Sequence, residues 1–91
     1  MAVRHVTLTA NTAQTVSLAT RDLREVGVMH KGNVPDPVYV NLSGTAVING
    51  NDCYAVLPGQ HRFIPRIWSS GKPTNASIIC AAAANVEVEF P

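Results

Sequence analysis

The sequence predicts an all-β protein, a single small β-sandwich (Ig-like or jelly-roll-like) of about eight short antiparallel strands. Three observations predict it. Short segments that alternate apolar and polar residues recur at roughly ten-residue spacing. Clusters of Gly, Pro, Asn, Asp and Ser separate these segments. The stretch 53–67 places β-forming residues on both sides of Pro58-Gly59, a pair that favours a tight turn.

The first half of the chain contains four alternating segments. We expect strands at residues 3–10, 14–19, 23–30 and 38–42. In the first of them Val6, Leu8 and Ala10 share one side and should face the core. Residues 31–37 contain two prolines one residue apart, which exclude a central strand. We expect the chain to cross between the two sheets there.

The second half contains the stretch 53–67, which we interpret as a pair of strands joined by the Pro58-Gly59 turn. Residues 76–84 are apolar. Their alanine-rich end is compatible with a helix, but the β-branched residues before it favour a strand. In the last segment, 86–90, the valines should face the core while Glu87 and Glu89 face outward.

Composition limits the classes of function. Charged residues make up 14% of the 91 residues, against about 25% in a typical protein. Either other subunits cover part of the surface, or abundant Thr, Ser and Asn solvate it. The net charge of +1 offers no cationic excess for nucleic acid. The N-terminus lacks the apolar core of a signal peptide, and the longest apolar run, 78–84, is too short for a bilayer, so we expect no membrane association.

No catalytic or metal-binding pattern is visible, so we predict neither an enzyme nor a cofactor or metal site. His5, His30 and His61 lack metal-ligand spacing, and we expect them at the surface or at sheet edges. Cys53 and Cys80 are expected as buried free thiols. A disulfide between them is the alternative if their strands are neighbours. No serine lies in a G-x-S-x-G elbow, and no Gly-rich phosphate loop is present.

The two outward glutamates of the last segment allow two interpretations. Their Cα atoms should lie about 7 Å apart on one strand face, which would suit a paired-carboxylate site. Alternatively they form a solvated face, matched across strands by Arg62 and Arg66, which share a parity. Cross-strand ion pairs of that kind contribute about 0.2–1 kcal/mol each.

Several motifs follow one another in a recognisable order. They are Val6-Thr7-Leu8-Thr9-Ala10-Asn11-Thr12, Val26-Gly27-Val28-Met29-His30-Lys31-Gly32, Pro37-Val38-Tyr39-Val40, Val56-Leu57-Pro58-Gly59 and Val86-Glu87-Val88-Glu89. In this order the chain resembles, over nearly its full length, the small β-sandwich virion proteins of tailed bacteriophages. It departs from them at the basic, bulky stretch 61–66 and at the alanines 81–84.

The resemblance implies a structural role in the virion. Our first hypothesis is a capsid decoration protein that binds the major capsid protein or another virion protein and stabilises the phage head shell. We expect it to be a homo-oligomer, with a trimer favoured, assembled in the bacterial host cytoplasm. The alternatives are a tail or head–tail connector component, or a carbohydrate-binding adhesion module, which would need exposed aromatic side chains clustered on one face.

The expected contact regions are the N-terminal arm, 1–5, and the loop 31–37 of the single domain 1–91. The candidate partner-contact residues are basic, polar or aromatic: Arg4, His5, Lys31, Asn33, Tyr39, Arg62, Arg66 and Trp68. Tyr39 lies on the polar side of its strand by parity, so we expect it to be exposed. Tyr and Trp are enriched at interface hot spots.

Overall fold

The computed structural model describes residues 2–17, 25–42, 44–65 and 75–90, and every regular element within these ranges is a β-strand. The eight strands are β1 (Ala2–Thr7), β2 (Gln14–Ser17), β3 (Glu25–His30), β4 (Val38–Asn41), β5 (Tyr54–Val56), β6 (His61–Pro65), β7 (Asn75–Cys80) and β8 (Asn85–Phe90). The all-β class is therefore confirmed. The predicted parts of strands at 18–19 and 23–24 lie outside the described residues.

The strands form two four-stranded antiparallel sheets. Sheet A has the order β1-β8-β3-β6 and sheet B the order β2-β7-β4-β5. Four of the strand pairs are nested: the first strand pairs with the last, the second with the second-last, and so on inward. These pairs are β1–β8, β2–β7, β3–β6 and β4–β5. The pairings β3–β8 and β4–β7 complete the two sheets. Eight strands in this order form a jelly roll, which decides between the two predicted sandwich types.

Among the eight described strands, only β4 and β5 are consecutive in the chain and also lie in one sheet. Every other connection crosses from one sheet to the other. The predicted crossing at 31–37 is confirmed, since β3 belongs to sheet A and β4 to sheet B. Repeated crossing holds the two layers together at both ends.

The stretch 53–67 corrects one prediction. Its two strands do not pair with each other, because β5 lies in sheet B and β6 in sheet A. The turn itself is present: the Gln60 N–H donates to the Leu57 carbonyl at 2.9 Å, and Gly59 has a φ of 78°. Pro58 followed by a positive-φ glycine is a type II turn. Such a turn splays the flanking strands instead of matching the twist of a hairpin, so it directs the chain into the other sheet.

The core lies between the sheets. Its fully buried members include Val26 and Val28 from sheet A and Val38 and Val40 from sheet B. Ala10 was expected among them and is instead exposed. The reason is that β1 ends at Thr7 and the chain turns at Ala10 and Asn11, where Asn11 has a φ of 58°.

Both cysteines are free thiols. Cys80 is buried on β7, as predicted, while Cys53 is only half-buried in the connection between β4 and β5. The alternative prediction, a disulfide between Cys53 and Cys80, is therefore wrong. Within the described ranges, no helix has the length and apolar character needed to cross a bilayer.

Candidate functional site

The outward side of sheet A, which we call the A face, carries charged and apolar side chains next to one another. Strand register arranges eight of its positions in two rows. The first row is Val3, Glu89, Gly27 and Phe63, and the second is His5, Glu87, Met29 and His61. Nothing in the described part of the chain folds over these rows. Four of the eight positions, Val3, His5, His61 and Phe63, are exposed, so the described part of the chain leaves the A face accessible to a partner.

Charge on the A face is organised around the two glutamates. The Lys31 ammonium lies 2.6 Å from a Glu87 carboxylate oxygen, and His5 Nδ1 lies 3.3 Å from the same oxygen. His61 Nε2 lies 3.5 Å from Glu89. The hydrogen bond from Lys31 holds the pKa of Glu87 below its ordinary value, opposed by desolvation and supported by the charges of Lys31, His5 and His61. This arrangement favours the solvated-face interpretation, with partners other than the predicted arginines.

The apolar part of the A face is exposed at both edges of the sheet. Val3 on β1 is 45% exposed, and Phe63 on β6 is 54% exposed. The Phe63 ring lies 4.7 Å from the His61 ring, centroid to centroid. Both rings lean over Gly27, where an added Cβ would come within 3.1 Å of His61 Nε2 and of Phe63 Cε1. The lack of a Cβ at Gly27 thus leaves room for both rings, whose planes are inclined by 42° to each other.

The outward side of sheet B, which we call the B face, is covered by the connection between β4 and β5. Ala46 in this connection is buried, and its N–H donates to the Ser77 hydroxyl at 2.9 Å. Asn41 is also buried: its carbonyl oxygen accepts the Gly44 N–H at 2.9 Å, and its amide donates to Asp52 at 3.1 Å. The B face is therefore an internal interface of this chain.

Tyr39 belongs to the B face and departs from its prediction. Its side chain is half-buried, not freely exposed, and its hydroxyl donates to Asn49 Oδ1 at 2.7 Å. Asn49 lies in the covering connection and has a φ of 58°, a conformation that Asn tolerates better than most residues. Tyr39 lies on the side of its strand that parity predicts, but a segment distant in sequence, which contains Asn49, covers that side.

Arg62 lies on the inward side of β6, not beside the glutamates. Its guanidinium donates to the Ala55 carbonyl at 2.9 Å and stands 5.1 Å from the centre of the Tyr54 ring. Both partners belong to β5, the edge strand of the other sheet. The predicted pairing of Arg62 with Glu87 or Glu89 is therefore wrong, because parity turns Arg62 to the opposite face of sheet A.

His30 was expected at the surface or at an edge, and the structure buries it completely. It shares parity with Val26 and Val28, so it points between the sheets. Its Nδ1 accepts the Gly32 N–H at 2.9 Å, which leaves Nε2 to donate to the Asp36 carbonyl at 2.8 Å. The neutral imidazole therefore fixes both ends of the loop 31–37. His5 and His61 are exposed, as predicted.

The loop 31–37 contains two candidate contact residues with different roles. Lys31 is exposed and pairs with Glu87, so it belongs to the edge of the A face. The Asn33 side chain donates to the Ala83 carbonyl at 3.1 Å and accepts the Asn85 N–H at 2.9 Å. Asn33 thus joins two loops of the protein itself.

Two apolar residues of the A face are exposed: Phe63, which was not among the predicted contacts, and Val3, which was predicted only as part of the N-terminal arm 1–5. Alternation with the buried Ile64 places Phe63 on the outward side of β6, but no local signal in the sequence shows that β6 pairs with β3 and so brings Phe63 beside Gly27 and Glu89. The predicted contacts Arg66 and Trp68 lie outside the described residues. Arg4 is exposed on the inward side of β1, at the edge of the sandwich.

The described residues contain no group of three or more His, Cys, Asp and Glu side chains placed to hold a metal ion. No protein-family model matches the chain, and no curated protein matches it. The order of its sequence motifs and the geometry of the A face therefore carry the functional argument.

Proposed function

We propose that this protein is a capsid decoration protein of a tailed bacteriophage, which docks on the head shell and stabilises it without catalysing a reaction. The proposal rests on the order of motifs shared with small β-sandwich virion proteins and on the open A face. The single observation that carries it is the exposed Phe63 ring lying beside a row of paired charges. Aromatic anchors of this kind dominate the energetics of protein interfaces.

The charges surrounding Phe63 would give the interface its orientation. Paired charges at the rim of an interface contribute more to specificity and association rate than to affinity. The hydrogen bond between Lys31 and Glu87 limits the freedom of both side chains before binding, which reduces the entropy lost on docking. An apolar anchor surrounded by charges that are already paired before binding is suited to docking on a rigid protein lattice.

Stabilisation of the shell follows from mass action. A protein that binds only the assembled lattice lowers the free energy of that lattice relative to its separated subunits. The same reasoning favours an oligomer, because several linked docking sites bind one lattice more tightly than a single site. We propose a homotrimer, which sedimentation equilibrium of the purified protein tests directly. The virion is then its location, after assembly in the host cytoplasm.

The test uses capsids of the encoding phage prepared without this protein. Purified protein should cosediment with these shells and raise the temperature at which they open. Phe63→Ser should weaken binding on the order of tenfold or more. The matched control is Leu57→Ser, since Leu57 is also 54% exposed but lies in the turn between β5 and β6. Failure of the wild-type protein to bind such shells would refute the proposal.

Imaging of labelled virions distinguishes a location on the head from a location on the tail. Label confined to the tail or the head–tail junction would replace the decoration role with the connector role. The carbohydrate-binding alternative gains no support from Tyr39 and Tyr54, because the first lies on the B face and the second packs against the core.

A further inference from the structure

Two arginines occupy opposite ends of one row across sheet A. Register aligns Arg4 on β1 with Val88, Val88 with Val28, and Val28 with Arg62 on β6. Both arginines project from edge strands toward the gap between the two sheets. The two arginines therefore allow the two flanks of the sandwich to be compared.

The flank formed by β5 and β6 is closed by Arg62. Its guanidinium donates to the Ala55 carbonyl on the edge of sheet B and stands over the Tyr54 ring. Pro65 at the end of β6 further limits strand pairing there, since proline lacks an N–H donor. Natural sandwiches protect their edges with such features.

The flank formed by β1 and β2 is open. A groove of about 450 Å³ runs between the two edge strands, and Arg4, Val6, Gln14 and Val16 are among the residues that line it. Arg4 makes no hydrogen bond or ion pair with any described residue, and none of the described residues that line the groove is a carboxylate. Arg4 therefore presents a guanidinium to the groove, whereas Arg62 on the opposite flank already binds the Ala55 carbonyl and stands over the Tyr54 ring.

The backbone of β1 is also ready to pair. The Leu8 N–H donates to the Ala84 carbonyl on the β8 side, and hydrogen bonding alternates along an antiparallel strand. Val6 and Arg4 therefore turn their N–H and C=O groups toward β8. Val3, His5 and Thr7 turn theirs outward, away from the sheet, where no described strand pairs with them.

We propose that the edge of β1 binds an extended segment of a partner virion protein as an added antiparallel strand, with a carboxylate of that segment on Arg4. Backbone hydrogen bonds to Val3, His5 and Thr7 supply the pairing, and Arg4 selects an acidic segment. The identity of the partner as a virion protein rests on the proposed function. The strand-binding edge itself rests only on the geometry of this chain.

The first experiment compares two substitutions at one position in the capsid-binding assay. His5→Pro removes an outward N–H, while His5→Ala removes the same side chain and keeps that N–H. His5→Pro should weaken binding by roughly tenfold or more relative to His5→Ala, and Arg4→Gln should weaken it by about tenfold. Circular dichroism and thermal unfolding confirm that each variant is folded. Equal binding by both His5 variants overturns the strand-binding edge but leaves the decoration role intact.

The second experiment needs no capsid. A blocked peptide as long as β1, alternating threonine and valine with one central glutamate, is titrated to millimolar concentration into isotopically labelled protein. The amide resonances of Val3, His5 and Thr7 should shift, and the matched peptide with glutamine should bind about tenfold more weakly. If these amides do not shift, the proposal is wrong even where capsids bind. Protection of the same amides by raised protein concentration alone would identify a second copy as the occupant and would also overturn it.

Discussion

The two outward faces of this sandwich are built from the same kinds of strand, yet one is covered and the other is open. The B face lies beneath the connection between β4 and β5, and its residues Asn41, Ser77 and Ile79 are buried. The A face keeps Val3 and Phe63 exposed beside its ion pairs. Similar positions on two strands can therefore belong to the core or to a binding surface, depending on a segment elsewhere in the chain.

The polar groups of the two faces also differ, since those of the B face form buried hydrogen bonds and those of the A face form ion pairs near solvent. On the B face, backbone N–H groups of the covering connection depend on side-chain oxygens of the sheet, as at Ala46 with Ser77. On the A face, charged side chains pair with one another near solvent. Breaking a buried pair leaves an unsatisfied group, while breaking an exposed pair lets water replace it.

The largest contrast should come from shortening an apolar side chain on each face. Ile79→Ala shortens a side chain of the B face that is only 8% exposed, and it should lower the free energy of unfolding by about 2–4 kcal/mol. Val3→Ala on the A face should change it by no more than about 0.5 kcal/mol. Urea denaturation of both variants measures the difference. Equal losses would mean that the connection does not cover the B face.

A second contrast replaces one asparagine on each face. Asn41→Ala deprives the Gly44 N–H of its acceptor and Asp52 of a donor, so it should cost about 1–3 kcal/mol. Asn85→Ala removes an exposed side chain from the A face and should be nearly neutral. Hydrogen exchange at the Gly44 amide gives a local measurement. An unchanged exchange rate in Asn41→Ala would contradict the assigned role.

Much of the fold followed from short-range pattern in the sequence. Alternation located the inward valines, and the prolines of 31–37 located a crossing between sheets. The Pro58-Gly59 turn was also correct, but turn chemistry alone does not say which strands pair. Strand partners in a jelly roll lie far apart in the chain, as β1 and β8 do, and no local signal encodes that pairing.

The candidate site was harder to predict for the same reason. Arg62 and Tyr39 were assigned surfaces from parity, and each makes a contact that only the assembled sandwich creates. His30 is the opposite case, because its parity with Val26 and Val28 already indicated burial. The hydrophilic character of histidine outweighed that signal, although two backbone partners satisfy the buried ring.

The third contrast adds a methyl group to one glycine of each region. At Gly50, in the covering connection, a Cβ would lie 2.9 Å from Cys53 Sγ and 3.0 Å from the Val47 carbonyl oxygen. Since that carbonyl is backbone, Gly50→Ala should cost about 1–3 kcal/mol. At Gly27 the crowded atoms belong mainly to the ring ends of His61 and Phe63. Gly27→Ala should therefore shift the aromatic resonances of both rings with an unfolding change within about 1 kcal/mol. A larger loss at Gly27 than at Gly50 would reverse the comparison.

The smallest expected effect is on unfolding in acid, and it tests whether the ion pair between Lys31 and Glu87 on the A face stabilises the folded state. Lys31 holds the pKa of Glu87 below its ordinary value of 4.5, so the unfolded chain binds this proton more readily than the folded one. The contribution of the pair is then fully present above pH 4.5 and is lost as the pH falls through the lower pKa of the folded state. Glu87→Gln and Lys31→Gln should each make stability less steeply dependent on pH in that acid range. The double variant should add little to either, because both remove one interaction. The difference should shrink in high salt, and acid unfolding curves identical to wild type in both single variants would show that the pair has no effect on stability.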